Sequence, residues 1–361
     1  MQILSALDAI SPAFSRTKLI LFTPFRKGRT WKLAITAYLS VAGTAFLPFS
    51  FIYLALIPIV GPKGIPYVIP VLITLSIVVT LIYLVIFYLC SRLRFAYFDI
   101  VLNRGEFVAP AWRKYGSQSF KWTLFKIVLG LVVAALVAAP SIAYIKQMVG
   151  VFERLQLAPG QQPPPEMMAA IFSGYAAFFV VYLLFGLYYW ASSLLSDFIV
   201  PSLALENTTL GEAFRRLGLL IRNEPGQFAA YAILKLGMAF AAIMAVGIGF
   251  YIVLFICALI VGLVALLAYL VLHAIGISTG ILIGLGVLLA IALYVFVFGY
   301  VMMIGNGTVM TFLESYTLYF LGGRYPMLGD LLTASTPPPA MVSPLYPTPY
   351  SPYSAPPPPT S

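Results

Sequence analysis

Charge is what this chain has least of. Only 9% of its residues are Asp, Glu, Lys or Arg, against about 25% in an ordinary soluble domain, while 61% are hydrophobic. A soluble core cannot absorb that much apolar surface. There is one histidine, His273, and there are two cysteines, Cys90 and Cys257, each inside an apolar run. One imidazole makes no His-rich site, and cysteines so placed read as small buried hydrophobes, not as a disulfide pair or metal ligands. P-loop, GxSxG, HExxH and CxxC patterns are all missing, so neither a cofactor nor a catalytic centre is expected. Period-2 alternation is absent too, which argues against a transmembrane β-barrel. The first 30 residues are amphipathic and basic with no visible cleavable signal, so this segment is expected to be retained.

What the chain has in abundance is long apolar runs, several exceeding the roughly 18 residues needed to cross a hydrocarbon layer of about 30 Å. The expected fold is all-α, a polytopic transmembrane bundle. A cytoplasmic amphipathic segment occupies 1–32 and a helical domain 33–330, with spans at about 33–60, 67–91, 122–146, 168–196, 228–272 and 277–304. Gly61-Pro62-Lys63-Gly64-Ile65-Pro66 reads as the tip of the first hairpin, because its glycines and prolines disfavour helix. Gln161-Gln162-Pro163-Pro164-Pro165 reads as a solvated loop. After Asp330 no charge remains, and residues 331–361 form a Pro- and Tyr-rich tail expected to be disordered or polyproline II in character.

The run from Phe228 to Leu272 is the hard case, with Lys235 its single charge. A break near Gly247-Ile248-Gly249 would make seven crossings. Internal repetition favours six. An alanine and an aromatic open three basic stretches, Ala13-Phe14-Ser15-Arg16, Ala111-Trp112-Arg113-Lys114 and Ala213-Phe214-Arg215-Arg216, spaced by 98 and 102 residues. Phe98-Asp99-Ile100-Val101 and Asp197-Phe198-Ile199-Val200 recur at the same interval. The units Trp31–Asp99, Trp122–Asp197 and Phe228–Ile304 are 69, 76 and 77 residues long, so the third is expected to be a hairpin like the others. The architecture is then three tandem hairpins, each preceded by a basic interfacial helix.

Basic residues in short loops stay cytoplasmic. The segments 1–32, 92–126 and 201–226 hold six, seven and three Lys/Arg, while the opposite loops hold only Lys63, Lys146 and Arg154. This places the N-terminus on the cytoplasmic face of the inner membrane and, with six crossings, the C-terminus as well. The net charge of +10 is spread over these loops, which argues for orientation in a membrane and against nucleic acid.

The candidate residues follow from this frame. A collar of Arg16, Lys18, Arg26, Lys27, Arg29, Arg113, Lys114, Arg215, Arg216 and Arg222 is expected at the membrane surface, facing the bilayer and its anionic phospholipids. Interfacial helices are expected at about 104–118 and 209–223. Ser11-Pro12 reads as a helix start, and Thr209-Leu210-Gly211-Glu212 as a capping box. Asp99 and Asp197 are boundary acids that cap or pair with Arg92, Arg94 or Arg215; an ion-coupling pair is the costlier reading, because a midplane acid is more expensive. Lys235 lies about 10 Å into its span and is expected to snorkel to the surface. Gly276, Gly280 and Gly284 form a small-residue stripe for close helix packing, expected within the chain. The tail is a candidate ligand for an aromatic-lined groove on a partner protein.

The words Phe98-Asp99-Ile100-Val101 with Ala111-Trp112-Arg113-Lys114-Tyr115-Gly116, and Asp197-Phe198-Ile199-Val200-Pro201 with Ala213-Phe214-Arg215-Arg216, resemble a group of uncharacterised bacterial six-helix inner-membrane proteins. That group is similar to the membrane domain attached to some glycerophosphoryl diester phosphodiesterases. The resemblance spans residues 10–325 and implies a six-helix membrane fold. The family's soluble catalytic domain, with its His-Arg-Gly and metal-binding carboxylates, has no counterpart here, so phosphodiesterase activity is not implied. The expected function is a non-enzymatic membrane scaffold, anchor or accessory protein. The alternative is a transporter or channel running between the hairpins, and an enzyme acting on lipid ranks third.

Overall fold

In a computed structural model of the protein, the described residues are 2–23, 27–46, 57–105, 107–154, 165–276 and 278–335, and no strand occurs among them. Arg26 and the tail beyond 335 lie outside them, as do the side chains of Lys27 and Arg29 and the loop residues 155–164. In chain order the helices are α1 (Ile10–Leu21), α2 (Lys27–Ala42), α3 (Ile57–Asn103), α4 (Val108–Lys114) and α5 (Gly116–Arg154). They are followed by α6 (Pro165–Glu206), α7 (Leu210–Asn223), α8 (Pro225–Ala274), α9 (Thr279–Gly322) and α10 (Pro326–Ser335).

Local chemistry explains several boundaries. Thr209 caps α7, its side chain accepting from the Glu212 backbone N–H at 3.3 Å, as the capping box requires. Pro225 opens α8, where its missing N–H costs nothing. The start of α1 differs from expectation. Ser11 does not cap it: Ala9 takes the cap position, and Ser5 closes the preceding turn, its Oγ donating to Asp8 Oδ2 at 2.6 Å and accepting from the Asp8 N–H at 3.1 Å. The turns from Ser5 run directly into α1, so Ser11 falls inside the helix.

Among the described residues five helices are long and apolar enough to cross a membrane: Ile73–Asn103, Gly116–Val137, Phe172–Glu206, Pro225–Ala274 and Thr279–Gly322. The expected first span, 33–60, is interrupted, since α2 stops at Ala42 and residues 47–56 lie outside the described part. The hairpin tip expected at Gly61–Pro66 is instead inside α3, whose start carries Pro58, Pro62, Pro66 and Pro70 at four-residue spacing. Membrane helices tolerate proline where local adjustments take up the freed carbonyls, which is why this turn signal does not end the helix. α8 runs unbroken through Gly247–Gly249, about 75 Å of helix, and the chain reverses only at Gly276, whose φ of 90° suits glycine.

The helices share one core, and it lies at one end. Phe95–Phe98 and Ile100–Leu102 of α3, Trp122 of α5, Ile199, Val200 and Leu203 of α6 and Tyr316–Leu321 of α9 are buried together, joined by Ala9, by Ala13 of α1 and by Leu328 of α10. We call this end the base. α2 packs on α3 and α9, α5 on α6, and α8 on α9, while α1 also lies against α9. A Cβ at Gly307 would sit 2.1 Å from the Ala34 carbonyl oxygen, so only glycine lets α2 rest directly on α9. Away from the base the helices form arms with little cover. In α8, Tyr251, Ile252, Val253, Phe255 and Ile256 are all exposed, a sector of about 200° at 3.6 residues per turn, while Phe250 is buried on the face toward α9.

Candidate functional site

Four helices each send one charged side chain into the base: Arg94 from α3, Asp197 from α6, Lys235 from α8 and Glu314 from α9. Arg94 Nη2 donates to Asp197 Oδ1 at 3.0 Å and lies 2.7 Å from Glu314 Oε2. Lys235 Nζ donates to Asp197 Oδ2, which also accepts from the Tyr231 hydroxyl at 3.0 Å. Tyr231 in turn shares a hydrogen bond of 2.7 Å with Thr317, and Tyr97 donates to Thr311 at 2.5 Å. The Asp197 side chain is fully buried and that of Glu314 is 4% exposed. Two cations and two carboxylates make a neutral set, the condition under which buried charge is tolerated.

Sequence periodicity explains how the set assembles. Asp197 and Ser196 sit one turn beyond Ser192 in α6; Ser196 Oγ donates to the Ser192 carbonyl at 2.8 Å, while Asp197 points to the neighbouring helices. Tyr231 and Lys235 are one turn apart in α8, so both reach the same carboxylate oxygen. Stacking fixes the ring: Tyr231 lies parallel to Tyr316 at 5.1 Å and to Phe320 at 4.6 Å.

The two acids paired by the repeat therefore differ. Asp99, whose side chain is 17% exposed, accepts from Lys114 Nζ at 3.1 Å and from the Tyr115 hydroxyl at 2.5 Å. Burial, reinforced by the Asp99 hydrogen bond, pushes the Tyr115 hydroxyl up to about 12. Asp99 is thus met by a lysine and a tyrosine where an arginine is expected, whereas Asp197 does take Arg94. Lys235, expected to snorkel, is instead turned inward, because Asp197 supplies a counter-charge closer than water. Glu314 escaped notice, although it is the only charged residue in α9, as Lys235 is the only Lys, Arg, Asp or Glu in α8. A lone acid and a lone base in consecutive apolar helices is the signal that could have found the pair.

The collar divides. Lys18, Arg113, Lys114, Arg215 and Arg222 are exposed. Arg216 is half-buried and pairs with Glu206 and Glu212. Arg16 does not belong to a surface collar. It is 2% exposed and donates Nε and Nη2 to the Val101 carbonyl at 3.0 and 2.9 Å, with Nη2 also reaching Leu102 at 2.6 Å. It thus caps the carbonyl end of α3, and burial lowers its pKa from the usual arginine value.

The interfacial helices also differ from expectation. α4 is only seven residues long, and the apolar face of α7 is covered by protein instead of lipid: Ala213 and Leu217 are buried, and Phe214 packs on Phe125 at 5.1 Å. The glycine stripe makes no close helix contact in the chain. Gly276 is in the turn, and a Cβ at Gly276, Gly280 or Gly284 would meet nothing within 4 Å. α9 approaches α8 further along, where Gly305 faces Val246 and Phe250 packs between Tyr294 and Phe298.

A pocket of about 370 Å³ opens below the cluster, lined by Pro201, Glu206, Arg216, Leu220, Arg324 and Tyr325 among others. Its guanidiniums are engaged: Arg216 with Glu206, and Arg324 with Glu224 at 2.7 Å. Among the described residues no three His, Cys, Asp or Glu side chains converge to hold a metal ion. Chemically, the cluster can bind four helices together by charge and can exchange protons among its members.

Residues 4–331 match a family of unknown function, DUF7544, and the chain belongs to that family. No curated protein and no solved structure matches it.

Proposed function

We propose that this member of the family is a non-enzymatic multi-pass scaffold of the inner membrane, in which a charge-locked base holds apolar arms that gather lipid and other membrane components. The observation that carries this reading is the division of polar from apolar surface. Arg94, Asp197, Lys235 and Glu314 at the base neutralise one another, whereas α8 from Leu236 to Leu272 and α9 from Thr279 to Leu313 contain no charged residue. Their large side chains, Phe240, Leu263 and Phe296 among them, face outward. A transport path would instead need polar groups facing inward at mid-arm depth.

In this reading the chain makes six crossings as three tandem hairpins, with its N-terminus and the base on the cytoplasmic side. The excess of basic residues at that end and the resemblance to six-helix membrane domains both support it. Lys18, Arg113, Lys114, Arg215 and Arg222 face anionic phospholipid, and the Pro/Tyr tail engages a protein partner. The test is crosslinking and purification from native membranes with the full chain and with a chain ending at Asp330. A specific protein set is expected with the full chain, reduced without the tail; nothing specific in either case sinks the scaffold.

One observation favours a second reading as a transporter: an acid–base cluster fully enclosed among four helices is also the layout of a proton relay. Asp197→Asn with normal folded yield but loss of a measurable ion flux in proteoliposomes supports transport, and equal flux in both proteins removes it.

A further inference from the structure

α2 ends abruptly inside the protein, and its end has the chemistry of a cation site. After Ala42 the chain turns through Gly43, Thr44, Ala45 and Phe46, all buried; the Val41 carbonyl accepts from the Thr44 N–H at 2.9 Å, and the carbonyls of Val41, Gly43 and Thr44 also meet side chains of α5 and α6. Ser192 of α6 donates to the Thr44 carbonyl at 2.6 Å, and the Tyr189 hydroxyl lies 3.5 Å from that of Val41. Lys126 of α5 donates its ammonium to the Gly43 carbonyl.

Lys126 is fully buried and, like Arg16, donates to a backbone carbonyl. Arg94 and Lys235 have carboxylates, but Lys126 has none in any ion pair among the described residues. Its surroundings are the carbonyl end of a helix, which carries partial negative charge, and two aromatic faces, Phe87 at 5.2 Å and Trp122 at 5.6 Å. Carbonyl oxygens and ring faces are what proteins offer to monovalent and organic ammonium cations. The site is built tightly. A Cβ at Gly43 would lie 2.4 Å from the Ser91 backbone nitrogen, and one at Gly130, a turn beyond Lys126, 2.4 Å from the Phe46 carbonyl oxygen. Ser91 Oγ, also fully buried, has no hydrogen-bond partner among the described residues.

We infer that the broken end of α2 is a monovalent-cation site, lined by the carbonyls of Val41, Gly43 and Thr44 and the hydroxyls of Ser192 and Tyr189, which the chain occupies with its own Lys126 ammonium. The tethered cation replaces a soluble one and closes the break. Removing the side chain opens a site for a small ammonium or alkali cation of the same charge. This goes beyond the scaffold reading and stands whether or not that reading holds.

The test is thermal unfolding of the purified full chain in lipid nanodiscs, in methylammonium, sodium, potassium or choline chloride at equal ionic strength. The wild type is expected to show the same melting temperature in all four salts. Lys126→Ala is expected to fall by about 5 °C or more in choline and to recover at least half of the loss in methylammonium or an alkali salt, with single-site saturation. Adding Ser192→Ala to that variant weakens the recovery. A Lys126→Ala chain that is recovered equally in choline and the small cations, or in none of them, overturns the proposal. Lys126→Arg and Lys126→Met provide a second arm. Arginine is expected to stay within about 2 °C of wild type and methionine to fall as far as alanine, whereas a methionine variant as stable as wild type shows that no cation is held there.

Discussion

The base and the arms of this protein are made of the same few apolar residue types, yet they hold together by different means. At the base α3, α6, α8 and α9 meet, and specificity comes from groups with direction: the Arg94–Asp197–Lys235–Glu314 set, the Tyr231–Tyr316–Phe320 stack, and Trp122 lying on Phe125 at 5.3 Å. Along the arms such groups are sparse, and α8 and α9 expose most of their apolar side chains outside the face on which they touch. Between Lys235 and Ala274 α8 runs about 58 Å, beyond the roughly 30 Å of hydrocarbon that about 20 residues would span. Leucine gains no more from a neighbouring leucine than from a lipid tail, so an all-apolar helix in a bilayer has little reason to prefer one face. The few polar residues therefore decide where helices meet.

The comparison can be broken by mutation. The largest loss is expected for Asp197→Ala, which leaves Arg94 and Lys235 sharing a single carboxylate in a buried site; about 3–5 kcal/mol of stability should disappear, read as lost folded yield on gel filtration. Arg16→Met comes next. It strips the hydrogen bonds from the end of α3 and should cost about 2–3 kcal/mol, measured as a lower melting temperature in nanodiscs. Asp99→Ala should cost about 1 kcal/mol or less, because its lysine partner is largely solvated. If the two aspartate variants proved equally damaging, the structural distinction between them would be lost.

Smaller effects sharpen the contrast. Tyr115 holds its proton more tightly in the folded protein, at about 12 against an ordinary value of about 10. Its contribution is thus fully present below pH of about 10 and is lost as pH rises toward 12. The melting-temperature advantage of wild type over Tyr115→Phe should shrink across that window. On the arms, Leu263→Ala in α8 should change stability in a bilayer by no more than about 0.5 kcal/mol, since this 61%-exposed side chain leaves no cavity behind. A loss of several kcal/mol there would mean that protein, not lipid, covers the arm.

Local features were legible to the extent that they depend on neighbours in the chain. The helix start at Thr209 follows from residues 209–212, and the apolar arms follow from run length alone. The turn expected at Gly61–Pro66 is helix instead, because proline ends helices in water far more reliably than in apolar surroundings. The amphipathic pattern of α7 was read correctly, but its apolar face found protein where lipid was expected, and periodicity cannot distinguish the two covers. Arg16 shares its Ala-aromatic-x-basic word with Lys114 and Arg216, yet it alone is buried, because the open carbonyl end of α3 lies next to it.

By itself the sequence determined that this is an all-helical protein with arms suited to a membrane, since that conclusion needs only the count of consecutive residues that water rejects. It also showed where charge is scarce. Only the tertiary structure decided what the scarce charges do: Asp197 meets Lys235 and Arg94 across separations of 38 and 103 residues, whereas Asp99 is satisfied within 16. The phase of an apolar helix about its own axis is not written in its composition. It is set where helices touch, so the pairing of buried charges could appear only once the base was assembled.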